Sequence, residues 1–116
     1  MAAIHVWRGA LDAMFSPLER FLEKRRLRRS YAAPVVCGAG RDRVRYYARG
    51  RSVDVAAELL VGDVQRRIYR AQPLRWHETG ERLTDSEAQQ VIDAVCRHFD
   101  SRHVKWELWP PLSAAT

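Results

Sequence analysis

Four histidines, two cysteines and a scatter of carboxylates are the residues of this chain with chemistry to offer. Cys96, His98 and His103 come nearest to a metal-ligand set. Side chains two residues apart on a helix point about 200° away from each other, so Cys96 and His98 cannot converge on one ion while a helix runs through them. No metal is expected, and His98 and His103, like His5, read as solvated or interfacial side chains. Cys37 neighbours Gly38 and Gly40, but no helix start follows to activate its thiol, and it reads as an ordinary loop cysteine. Gly38-Ala39-Gly40 is too short for a phosphate-binding fingerprint. His77, Glu78 and Glu81 share one polar stretch and have the types of an acid and a base, yet so small a sheet implies no deep pocket around them. The residues therefore predict no catalytic group, no metal and no cofactor.

A second kind of chemistry is electrostatic. Lys24, Arg25, Arg26, Arg28 and Arg29 make a dense positive end that can release counterions from a nucleic acid, with Tyr31, Tyr46 and Tyr47 available for stacking. The same charges also suit a solvated helix face, or a surface that meets an acidic protein.

The elements that must carry these residues are well marked. Ser16-Pro17-Leu18-Glu19 offers an N-cap, a proline at the first helical position and a capping-box glutamate, which predicts a helix over Pro17–Arg29. Its apolar residues, Leu18, Phe21, Leu22 and Leu27, are few, so it can dock by one end only. Upstream, Leu11, Met14 and Phe15 stand at helical spacing without a clear cap. Residues 30–42 hold Pro34, Gly38 and Gly40 and read as a linker, with a short strand at Val35-Val36.

From Arg43 the period becomes two. Val44, Tyr46 and Ala48 alternate with arginines and Tyr47, a turn falls near Gly50, and Val53, Val55, Ala57 and Leu59 alternate in turn, which predicts a hairpin. Gly62-Asp63 marks the next turn, with a third strand around Ile68-Tyr69 and a short extended piece at Leu74-Arg75-Trp76. Thr84 and Glu87 then form a capping box, with Asp85 on the positive end of the helix dipole. Ala88, Val91, Ile92, Val95, Cys96 and Phe99 fall on one face of the helix that follows. After a break at Asp100-Ser101-Arg102, residues 103–109 alternate again, with Val104, Trp106 and Leu108 on one side and Lys105, Glu107 and Trp109 on the other. The expected fold class is α+β: a small antiparallel sheet in the order β-β-β-α-β, one amphipathic helix packed on it, and a basic helix before it.

At 116 residues, 47% of them hydrophobic and 29% charged, the chain suits one core. The net charge of +6 is uneven, since residues 1–42 carry eight Lys/Arg against four Asp/Glu and the remainder twelve against ten. Residues 1–42 are thus expected to form a basic arm, 43–109 the α+β domain, and 110–116, with Pro110 and Pro111, a flexible tail. No apolar run approaches the roughly 20 residues of a membrane span and the start lacks the order of a secretory signal, so a soluble cytoplasmic protein without a membrane partner is expected. Two cysteines make no disulfide framework.

Taken together, Arg45-Tyr46-Tyr47, Gly50-Arg51-Ser52-Val53-Asp54-Val55, Glu58-Leu59-Leu60, Gly62, Ile68-Tyr69, Leu74-Arg75-Trp76, Leu83-Thr84, Val91-Ile92 and Val104-Lys105-Trp106-Glu107 resemble the immunity protein seventy-four family of bacterial polymorphic toxin systems. The resemblance spans residues 43–108, and its motifs are structural. The family pattern has a proline soon after the tryptophan, where this chain has His77-Glu78-Thr79-Gly80. What the resemblance implies is a non-enzymatic protein that binds and blocks a cognate toxin, the C-terminal domain of a large secreted protein, in the cytoplasm. An acidic cluster beside the tryptophan, Trp76, His77, Glu78, Glu81 and Asp85, is then the expected contact surface for a basic nuclease toxin. Arg66, Arg67 and Arg70 suit an acidic one.

Overall fold

In a computed structural model describing residues 16–111, two helices and five strands follow in the order α1 (Pro17–Arg29), β1 (Val35–Gly38), β2 (Arg43–Ala48), β3 (Arg51–Leu59), β4 (Arg66–Tyr69), α2 (Asp85–Ser101) and β5 (Trp106–Trp109). His5, the spacing of Leu11, Met14 and Phe15, and residues 112–116 of the tail lie outside the described residues. The class is α+β. The strands form one sheet in the order β1-β2-β3-β4-β5.

The β2–β3 hairpin closes through Arg49 and Gly50, whose φ angles of 53° and 74° define the mirror-image turn whose twist matches that of paired strands. Val44 pairs with Val55 and Tyr46 with Val53, so alternate residues of both strands reach one face. The anticipated Val35-Val36 strand extends to Gly38 and pairs antiparallel with β2, across the boundary expected at Asp42.

One expectation needs correction, because the sheet is mixed rather than antiparallel. β5 runs parallel to β4, pairing Arg66 with Trp106 and Ile68 with Leu108. The cause is the connection: a helix intervenes between the two strands, and a crossover of that kind returns the chain in the same direction. Periodicity along a strand records which face a residue meets and carries no direction.

α2 begins as expected, with Thr84 accepting from the Glu87 amide at 3.1 Å and Glu87 accepting from the Thr84 amide at 3.0 Å. Its end has no glycine. His103 takes the left-handed conformation, φ 57°, while its amide donates to Asp100 and that of Val104 donates to Phe99. This double bond is the Schellman closure, and Val104 folds back onto the core as that motif requires.

The core lies between α2 and the inner face of the sheet. Val44, Val53, Val55, Ala57 and Ile68 meet Val91, Ile92, Val95 and Phe99 there, all buried. Each large side chain so placed contributes roughly 1.5–3 kcal/mol before chain entropy is charged. Trp76 and Leu83 enter from a small lap in which Leu83 donates to Leu74 and Trp76 to Glu81, with Arg75 bridged to Arg82.

Candidate functional site

The outer face of the sheet, opposite α2, is where the alternation delivers polar and aromatic groups. Cross-strand register places Tyr47 beside Ser52, Arg45 beside Asp54, Glu58 beside Arg67, Arg67 beside Glu107 and Tyr69 beside Trp109.

One half of this face is closed. Tyr47 is fully buried and donates to the Glu23 carboxylate of α1. Burial first, then the Glu23 bond, raises its phenol far above the usual range. Arg45 clasps Asp54 with two parallel bonds, Nε to Oδ1 at 2.7 Å and Nη2 to Oδ2 at 3.2 Å, and stands 3.6 Å from Glu23. His77 Nε2 approaches the same aspartate at 3.6 Å. Glu78 accepts from the Ser52 amide and hydroxyl at 2.7 and 2.6 Å. Every carboxylate of the network has a cross-element partner, so the network fastens α1 and the 76–81 lap to the sheet.

The other half is open. Glu58 accepts from the Tyr69 hydroxyl, Arg67 donates to Glu107 at 2.7 Å, and the Arg67 guanidinium lies 5.0 Å over the ring of Trp109. Trp109 remains 47% exposed. Residues from β3, β4 and β5 thus form a flat row of arginine, tyrosine and tryptophan with its ion pairs already made. Such a surface presents rigid aromatic area for contact and no group poised to attack a substrate.

The residues anticipated at a toxin contact are not all on the surface. Trp76 is a core residue, 3% exposed, beneath the Arg51 guanidinium at 4.1 Å. His77 and Glu78 border the closed half of the outer face, tied to Asp54 and Ser52, while Glu81 and Asp85 are exposed. In the basic set, Lys24, Arg25, Arg28 and Arg29 are exposed on α1 and Arg26 is half-buried. Tyr31, Tyr46 and Tyr47 do not form one stacking platform: Tyr46 is buried with the core, and Tyr47 lies under α1 on the opposite face. α1 itself buries no residue completely, and Leu18 and Phe21, the apolar residues of its first turns, are exposed. It docks through Glu23 and through Ser30, whose Oγ accepts from Gly50 at 2.8 Å.

Sequence reasoning missed the open row. The signal was present in residues 103–109, where Glu107 and Trp109 alternate away from Trp106 and Leu108. Arg67 reads in the sequence only as a charge alongside Arg66 and Arg70, and placing it with Glu58 and Tyr69 required the register. Among the described residues no group of three or more His, Cys, Asp or Glu is placed to hold a metal, and no helix is long and apolar enough to cross a membrane. Burial pushes the Cys96 thiol up to about 11, which leaves it a buried small hydrophobe.

Compared with protein-family models, with curated proteins and with solved structures, the chain matches none.

Proposed function

We propose that this chain is an immunity protein, a non-catalytic binder that neutralises a cognate secreted toxin domain in the cytoplasm of the cell that makes it. The observation that carries the reading is the open half of the outer face. Arg67, Tyr69 and Trp109 are the residue types that dominate binding energy at protein interfaces, and here they are held in place by cross-strand partners before any partner arrives. The residue-level resemblance to the immunity protein seventy-four family over 43–108 supports the same role. A stable one-to-one complex needs about 800 Å² from each partner, which a sheet face with its bordering lap can supply.

The test is co-purification with the toxin domain encoded beside the gene. The pair should co-elute in moderate salt. Trp109→Ala should weaken the complex by about 2 kcal/mol, near 30-fold, while exposed Arg102→Ala should leave it unchanged. No toxin gene nearby, together with nucleic-acid binding through Lys24, Arg25, Arg28 and Arg29 that collapses as salt rises, would replace this reading with a nucleic-acid-binding one.

A further inference from the structure

On the other side of the sheet, the β2–β3 turn, the loop of residues 30–34 and the first turns of α2 enclose a cleft of about 390 Å³. That is within the size range of small-molecule sites. Tyr31, Tyr46, Arg49, Arg51, Trp76 and Gln90 are among its walls.

Three independent features set this cleft apart from an ordinary surface crease. The first is Trp76, whose Nε1 is the only buried side-chain polar atom without a partner among the described residues. An unmet buried donor is costly, and this one belongs to a wall residue of the cleft. The second is Arg49. It occupies the first position of a mirror-image turn, φ 53°, where asparagine, aspartate or glycine is preferred and an arginine is sterically disfavoured. Its side chain makes no ion pair among the described residues. The third is Tyr31, whose hydroxyl comes so close to Gly50 that a Cβ there would sit 2.2 Å from it. Only glycine admits the ring at that distance, yet Tyr31 stays 73% exposed and keeps a flat face toward solvent.

The charges decide the ligand. Arg51 gives only its Nη2 to Glu87, at 3.3 Å, and lies over the face of Trp76, so its charge is offset while its other N–H groups have no partner among the described residues. Arg49 is left over on the cleft wall. The excess is positive, and a guanidinium's planar fork matches two oxygens of one oxyanion.

We propose that the cleft binds a small organic anion, a planar body bearing a carboxylate or a phosphate, with Arg49 and Arg51 holding the oxyanion and Tyr31 covering the plane. This site is independent of the toxin-binding face, since it lies on the α2 side of the sheet. Its failure leaves that reading untouched.

The test uses the full chain and follows the indole N–H resonances of its tryptophans while benzoate, adenosine monophosphate and inorganic phosphate are titrated separately. The expected result is a saturable shift of the Trp76 resonance with benzoate or the nucleotide, at concentrations about tenfold below those inorganic phosphate requires, while Trp106 and Trp109 stay still. Benzoate alone would assign a carboxylate ligand, and the nucleotide alone a phosphate ester. Arg49→Gly relieves the turn, so the fold should be kept or strengthened while binding weakens at least tenfold or so. Three results would overturn the proposal: no saturable shift below about 10 mM with any probe, inorganic phosphate binding as tightly as the organic anions, or Arg49→Gly binding as the parent does.

Discussion

His103 shows how a single residue can close an element against its own preference. Its left-handed backbone permits both amide bonds that end α2 and turns Val104 toward Phe99. A side chain in that conformation costs about 1 kcal/mol, which glycine avoids. His103→Gly should therefore raise stability by roughly 0.5–1 kcal/mol, seen as a higher thermal midpoint, and an unchanged or lower midpoint would show that the histidine side chain has a role of its own. The same residue explains why the helix end was legible only as a break: no glycine announces the closure. Trp76 was illegible for the opposite reason. Its polar neighbours His77 and Glu78 suggested a surface, whereas the bridged lap carries the indole inward and leaves the neighbours outside.

At the level of elements, the start and buried face of α2 were legible, because a capping box and a six-residue apolar stripe mark both at once. Its start is also acid-sensitive. The Thr84 amide, more than Arg51, holds the Glu87 carboxyl below its usual range. A depressed carboxylate contributes stability that is present above its unfolded value of about 4.3 and is lost as pH falls through the folded one. Glu87→Gln keeps the capping bond but cannot ionise, so the loss of stability below about pH 4.3 should be shallower than in the parent, as read from thermal midpoints across pH. α1 behaves differently. Its cap was legible, but its docking was not, because Leu18 and Phe21 are exposed, Leu22 and Leu27 are only half-buried, and a carboxylate and a serine make the polar attachment. Glu23→Gln should speed amide hydrogen exchange across Pro17–Arg29 while leaving β2 and β3 protected. Uniform exchange across the chain would show instead that α1 is integral to the core.

At the scale of the whole molecule, the hairpins join near neighbours, while β5 joins residues 40 positions apart, as in the bond from Arg67 to Glu107. The β2–β3 and β3–β4 pairs were legible from turn chemistry, whereas β1, read as a short strand within a linker, joins the sheet unannounced. The parallel pair was misread because strand periodicity carries no direction, although the helix between Tyr69 and Trp106, itself legible, implies a parallel return. That geometry has a temporal meaning. The β4–β5 seam cannot zip until the intervening helix has condensed onto the hairpins, because the entropy of closing so long a loop must first be met. The seam is then the last to form and the first to part. Leu108→Ala, which removes a half-buried contact on β5, should accelerate unfolding about 30-fold for a loss near 2 kcal/mol and leave the refolding rate almost unchanged. The row of Arg67, Tyr69 and Trp109 straddles that seam, so anything that grips both strands acts as a clasp on the molecule's own exit route, and occupancy will read out as a longer lifetime of the native state.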